Sequence, residues 1–280
     1  MSSFGVDTET EAEAPKIGII GGSGLCTFPE LDMVSRRSID TKYGPPSGDV
    51  IIGTLGGTRI AYLPRHGPKH SFPPHKVPYK ANLAALKAVG VETVIGTCIA
   101  GSLREDLAPG TLVIPDQFVN LTWGRDDSYE ADGGSFLHLP MGSPYCSPVR
   151  DLIRDAAKTC GCVFVPKGTV AVIQGPRFST AAESQWLSCN GWDIVNMTQY
   201  PECYFARELG LCYGAVAALT DFDVGLHKDL TINSSRMDDV LQVFQDNILK
   251  LKRLLTALAG EAPTFSCGCA CTAVKAYYEQ

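Results

Sequence analysis

The chain of 280 residues is 45 % hydrophobic and 19 % charged, with a net charge of −6. That composition excludes global disorder, and it argues against a partner such as nucleic acid, which needs a basic surface. No apolar run reaches about 18 residues, so neither a membrane span nor a membrane partner is expected.

The first 15 residues, MSSFGVDTETEAEAP, carry four acids and no base. They lack the basic start and apolar middle of a secretory signal and read as a solvated tail, which makes a cytoplasmic location the expectation. One domain is expected over 16–260, followed by a cysteine-containing tail over 261–280. Strand-like runs occur at 17–20, 50–54, 59–63, 93–99, 111–114, 168–173, 194–196 and 211–219. Between them lie helical patterns. Residues 78–89 show apolar spacing of helical period. Ser147 and Pro148 open a second helix that stops near Gly161. A third places Val240, Phe244, Ile248, Leu251 and Leu255 on one stripe and ends at Gly260. Strands alternating with helices specify an α/β fold with a largely parallel or mixed central sheet. The stretch 116–144 has little periodicity and reads as a functional loop or lid, or else as a surface insertion.

Five segments carry chemistry. In KIGIIGGSGL a strand enters Gly21-Gly22-Ser23-Gly24. The dinucleotide fingerprint lacks its third glycine and the Walker lysine is missing, so a nicotinamide dehydrogenase is disfavoured. What remains is a nest of N–H groups with the Ser23 hydroxyl, suited to one compact anion, or a tight structural turn. Next, LPRHGPKH places Arg65 and His66 after a strand. An arginine fork matches two phosphate oxygens, although a surface salt bridge and a capping histidine would leave the same pattern. Gly67 and Pro68 keep His66 and His70 off a common helix, so no helical zinc motif forms. Third, GTCIAGSL ends a strand in small residues with two hydroxyls, Thr97 and Ser102. It is either a ligand-bearing strand end or a tight turn.

Fourth, GPRFSTAAES and NMTQYPE each join a strand to a helix start. Phe178 could lie on a flat ring, Thr198 could donate to an anion, and Glu202 reads as a helix N-terminal charge. Fifth, LCYGAVAALTDFDVG ends a buried strand in Asp221 and Asp223. Two acids at such a mouth are costly without partners or work. Close spacing would favour a neutral acid able to donate a proton, and the alternative is a solvated loop with an N-cap. Eleven cysteines are present. Cys267, Cys269 and Cys271 crowd the end as thiols on a tail, a strained local disulfide or, least consistent with C-x₂₋₄-C spacing, a metal site.

Together GIIGGSGL, RHG, GSLRE, HLPM, GPRFST, NMTQYPE and TDFD stand in the order seen in the 5′-methylthioadenosine phosphorylases. The chain resembles that family, in the trimeric branch of the purine nucleoside phosphorylases, from about Lys16 to Ala259. The resemblance implies a three-layer single domain with a mixed central β-sheet flanked by helices. It also implies a pentosyltransferase that phosphorolyses S-methyl-5′-thioadenosine, in purine and methionine salvage, to adenine and 5-methylthioribose 1-phosphate. The neighbouring possibility is a 6-oxopurine nucleoside phosphorylase acting on inosine, guanosine or methylthioinosine. Ser23, Arg65, His66 and Thr198 match the family's phosphate ligands. Cys98 and Ile99 replace its usual Thr-Ala, which removes a hydroxyl and keeps a backbone N–H. Phe178 and Met197 match residues that line purine and ribose. Asp221 and Asp223 match the pair that reads adenine, with Asp221 assigned to protonate N7. His138, Met237, Val240 and Leu241 fall where the family holds the methylthio end. The implied chemistry needs no metal and no cofactor, only orthophosphate as co-substrate. The implied partner is a second and third copy of the chain, as a trimer or a dimer of trimers. The terminal C-G-C is similar to a segment that carries a disulfide in heat-stable relatives.

Overall fold

The computed structural model describes residues 14–129, 138–226 and 234–262, together with Cys267 and Cys269. The expected tail over 1–15 lies outside the described residues except for Ala14 and Pro15. Eleven strands join one mixed sheet. They are β1 (Ile17–Gly21), β2 (Asp32–Arg37), β3 (Val50–Leu55), β4 (Thr58–Pro64), β5 (Thr93–Ser102), β6 (Leu112–Val113), β7 (Gln117–Leu121), β8 (Phe164–Val165), β9 (Thr169–Ile173), β10 (Ile194–Asn196) and β11 (Cys212–Phe222). The described helices are α1 (Tyr79–Ala88), α2 (Ser147–Thr159), α3 (Ala181–Cys189), α4 (Gln199–Glu208) and α5 (Ser234–Glu261).

Alternating side chains send each central strand into two cores. Ile17 and Ile19 of β1, Ile95 of β5, and Val216 and Ala218 of β11 pack with α2 and α5 on one face. Ile20, Val94 and Ala215 pack with α1 and α4 on the other. Helix, sheet and helix thus form the three expected layers. Burial on both faces explains why β11 is apolar without alternation.

The sheet runs β2-β3-β4-β1-β5-β10-β9-β7, with β11 beside β5. β11 follows one edge of β5 in parallel, from Cys212 opposite Thr93 to Phe222 opposite Ser102, with a bulge between Leu219 and Asp221. The opposite edge of β5 is shared. β1 pairs in parallel with Thr93 to Gly96. β10 pairs antiparallel with Gly101 and Ser102. The two strands therefore run head to head toward residues 97–100 of β5, and neither ladder covers those residues.

Most expected strands form, and β5 and β11 each run three residues farther than their patterns. Strands β2, β7 and β8 were not expected. None contains a buried residue, so none has the apolar alternation that marks a strand. β7 also corrects the irregular reading of 116–144: its residues pair in register with β9. Ser147 is the first residue of α2 rather than its cap, and Cys146, in extended conformation, takes the cap position. α5 ends at Glu261, one residue past the expected stop.

Helix α2 rests directly on the β11 backbone. A Cβ added at Gly214 would lie 2.5 Å from Val149 Cγ1 and 3.0 Å from Ile153 Cδ1. Gly214→Ala is expected to destabilise the fold by about 1–3 kcal/mol through overpacking. Urea denaturation reads this as a lower midpoint with an unchanged slope.

Candidate active site

The glycine loop after β1 closes on its own protein neighbours. Gly22 N–H donates to Thr97 Oγ1 at 3.0 Å, and that hydroxyl donates to Ile20 O at 3.2 Å. A Cβ at Gly22 would stand 2.5 Å from Thr97 O and 2.9 Å from Arg65 Nη1. Gly24, at φ +80°, would drive a Cβ to 2.3 Å from Ile248 Cδ1 of α5. Glycine is thus required by close approach at one position and by both packing and a left-handed backbone at the other. Leu25 N–H turns back to Gly22 O. Among the described residues the N–H groups of Ser23 and Gly24 make no hydrogen bond, and Ser23 is half-exposed.

Arg65 follows β4 and is fully buried. Its Nε and Nη2 donate to Glu202 at 2.6 and 2.7 Å, and Nη1 donates to Thr97 O at 2.5 Å. Burial opposes the charge, and the Glu202 carboxylate outweighs it, so the guanidinium pKa is raised. Of five guanidinium N–H donors two remain, and Nη1 carries one of them against Gly22. The salt bridge read as a surface feature is buried. Glu202 does stand in the first turn of α4, yet it is more than a helix-end charge, because it accepts both Arg65 bonds and a third from Tyr213 Oη at 2.7 Å. An acid inside the apolar run Pro201 to Phe205 was the available signal, since a buried charge needs a partner.

His66 is 5 % exposed. Its Nδ1 lies 2.7 Å from Phe72 O, which fixes Nδ1 as the donor and leaves Nε2 as an acceptor when the ring is neutral. Burial and the Arg65 charge lower its pKa to about 4, against the pull of the Phe72 carbonyl. The ring also meets the His70 ring in a tilted contact, with centroids 4.6 Å apart.

The uncovered edge of β5 lies between these groups and the end of β10. Thr93 N–H donates to Lys16 O, and Leu103 N–H donates to Asp193 O. Both bonds point toward the β1–β10 side. Backbone direction alternates along a strand, so Ile99 N–H points to that same side, inside the gap. The Cys98 sulfur lies elsewhere: it accepts from Asn196 Nδ2 at 3.2 Å and Gln199 Nε2 at 3.4 Å. Cys98 therefore offers only its main chain to the loop, where its Cα faces Gly22. The Ser102 hydroxyl is likewise occupied, donating to Arg104 O. Past the end of β10, Thr198 is buried, and its hydroxyl makes no hydrogen bond among the described residues. Met197 packs against Gly175, where a Cβ would be 2.6 Å from its sulfur.

The two acids stand at the mouth of β11, beyond its bulge. Half-buried Asp221 accepts from Thr220 Oγ1 at 2.6 Å. Asp223 is 5 % exposed, its N–H donates to Ser102 O at 2.8 Å, and its Oδ2 is buried with no hydrogen-bond partner among the described residues. Its Cβ would lie 3.7 Å from a Cβ at Gly101. Gly101 is two residues along β5 from Ile99, or about 7 Å.

The remaining expected residues are not all brought here. Val240 and Leu241 lie one turn before Phe244, which touches Gly24 from α5. The side chain of Met237 lies outside the described residues. Phe178 is 78 % exposed. His138 is exposed and lies two residues before Pro140, whose carbonyl is held by Arg207 in the last turn of α4, the far end from Thr198.

The chain is similar to known proteins over most of its length. A model of the phosphorylase superfamily matches residues 16–259. The chain belongs to the phosphorylase superfamily. Among its relatives in this superfamily, S-methyl-5′-thioadenosine phosphorylase of Mycolicibacterium smegmatis is 48 % identical over 239 residues, covering 85 % of this chain and 88 % of its own length. Purine nucleoside phosphorylase of Streptomyces coelicolor is 42 % identical, covering 86 % of each chain. Methylthioadenosine phosphorylase from Schistosoma mansoni, in complex with tubercidin, superposes with a TM-score of 0.85 at 34 % identity, covering 94 % of this chain and 96 % of its own.

The Arg65–Glu202 pair gives this phosphorylase-superfamily chain a test of its buried charge. Glu202→Ala leaves the guanidinium unpaired in the interior and is expected to cost about 3–5 kcal/mol in urea denaturation. The double variant Arg65→Met/Glu202→Leu is expected to cost less than that single change, because no charge is stranded.

His66 sets a pH dependence. Its folded pKa, about 4, lies below the ordinary 6.5 of an unfolded chain. The neutral ring therefore stabilises fully above pH 6.5, and that contribution is lost as pH falls toward 4. The loss is at most about 3 kcal/mol. His66→Gln should flatten the stability profile in that window, as measured by thermal unfolding at stepped pH.

Proposed function

We propose that the chain catalyses phosphorolysis of S-methyl-5′-thioadenosine, forming adenine and 5-methylthioribose 1-phosphate. The observation that carries this reading is Asp223 Oδ2, buried without a hydrogen-bond partner among the described residues, on a residue that lies beside Gly101, which is about 7 Å along β5 from Ile99. A buried acceptor without a donor is costly unless a ligand supplies one. The spacing fits a ribosyl ring with an anion at one end and a base at the other.

In this reading orthophosphate occupies the gap at residues 97–100. The donors are the N–H groups and hydroxyl of the Ser23 loop, Ile99 N–H, the Thr198 hydroxyl and the two remaining N–H groups of Arg65. Neutral His66 accepts the P–OH of monohydrogen phosphate at Nε2. Breaking the bond from C1′ to N9 builds positive charge on the sugar, which the adjacent dianion offsets. A phosphate oxygen bonds to C1′, the bond electrons pass to the base, and a proton goes to N7. Asp221 delivers that proton and Asp223 accepts from the exocyclic amine. The phosphate proton balances the one taken up by the base. No cofactor enters.

Phe178, Met197, Val240, Leu241, Met237 and His138 complete the pocket around ribose, base and methylthio group, with His138 supplied by a neighbouring copy. Trp123 and Trp186, 73 % and 53 % exposed, line one groove with Leu121 and Ile173 beside Arg177, next to Phe178. Apolar surface of this kind suits burial by another subunit, so a trimer or a dimer of trimers belongs to the same reading. So does a cytoplasmic location. Among the described residues no helix is long and apolar enough to cross a membrane. The likeness to a purine nucleoside phosphorylase keeps one neighbouring substrate class in view, the 6-oxopurine nucleosides.

The test follows adenine release by absorbance with and without phosphate. Release is expected only with phosphate, and equal release without it would overturn the reading. Asp221→Asn, which removes the proton donor, is expected to lower kcat/KM for methylthioadenosine by about 100-fold or more. Faster turnover of inosine or methylthioinosine by the unmodified chain would move the assignment to 6-oxopurines.

A further inference from the structure

Four cysteines from three separate parts of the chain meet outside the catalytic region. Cys146 caps α2, Cys212 opens β11, and Cys267 and Cys269 lie beyond α5. All four sulfurs lie within 4.8 Å of one another. Cys146 Sγ is 3.3 Å from Cys267 Sγ and 3.5 Å from Cys269 Sγ, and Cys212 Sγ is 3.3 Å from Cys269 Sγ. These separations exceed the roughly 2.05 Å of an S–S bond. They approach the roughly 3.8 Å edge expected for four thiolates held tetrahedrally about 2.3 Å from zinc.

We propose that Cys146, Cys212, Cys267 and Cys269 form a structural site for one zinc ion. The ligand set is all sulfur, which selects a soft or borderline ion over magnesium or calcium. The fold prepares half of the site. Cys146 N–H donates to Tyr213 O at 2.8 Å, which fixes the start of α2 beside the start of β11. Cys146 and Cys212 are each 2 % exposed and belong to the core shared by α2 and α5, and Cys267 and Cys269 pack against that core. The C-x-C pair supplies the other half, since residues two apart can face one side of the chain. The spacing that disfavoured a metal in the sequence is thus completed in space by two single cysteines.

Binding releases the thiol protons and ties the segment after α5 to the body of the fold. The site lies at the opposite end of β11 from Asp221, nine residues or about 30 Å away. Its effect is therefore on stability, and the inference stands apart from the proposed reaction.

The full-length chain, purified under reducing conditions without chelator, is expected to carry about one zinc per chain by plasma mass spectrometry. Replacement by cobalt should give a sulfur-to-metal charge-transfer band with the ligand-field spectrum of a tetrahedral site. Cys267→Ser/Cys269→Ser, on the half-buried side, should lose the metal and lower Tm by several degrees while kcat/KM stays within about twofold. Exposed Cys189→Ser should keep both metal and Tm. Absence of zinc, with the four thiols all titratable or joined in disulfides by mass, would overturn the proposal, as would a tetrahedral cobalt spectrum that persists in the double variant.

Discussion

The buried ion pair between Arg65 and Glu202 organises this molecule. It joins the end of β4 to the first turn of α4 across the sheet, and its third arm seizes Thr97 O on β5. Three elements that are separate in sequence are thereby held in one geometry. Such a pair is weak evidence for stability, because desolvation consumes much of its Coulomb attraction. Its role here is placement. The guanidinium fixes the wall against which Gly22 closes, so the Ser23 loop inherits its position from the charge beneath it.

Around that pair the sheet does something unusual with its central strand. β5 serves β11 along one edge and divides the other between two strands that approach from opposite ends. An α/β sheet ordinarily gathers its ligand groups at the carboxyl ends of parallel strands. Here the carboxyl ends of β1 and β10 converge on the middle of a strand, and β11 runs on to carry the acids past it.

Much of the fold was legible in the sequence. The central strands are continuous apolar runs, and α1, α2 and α5 keep helical period. Edge strands β2 and β7 were not legible, since pairing without burial leaves no apolar pattern. At the site, the glycine turn, the forked donor and the strand-to-helix junction made Ser23, Arg65 and Thr198 candidates by local pattern, whereas His66 and Ile99 entered only through the family resemblance. Glu202 was misjudged because its meaning depends on Arg65, 137 residues away. The cysteine cluster was equally opaque, since nothing near Cys146 or Cys212 refers to the chain end.

The head-to-head arrangement of β1 and β10 makes the opening on β5 a matter of register rather than of side-chain size. Its width equals the number of backbone units that the two strands leave unclaimed. Point substitutions can change the charge of its walls but leave its length alone, whereas extending either strand by one residue would shorten it by one unit. The length of the opening is therefore set by where two strands stop and not by any one side chain.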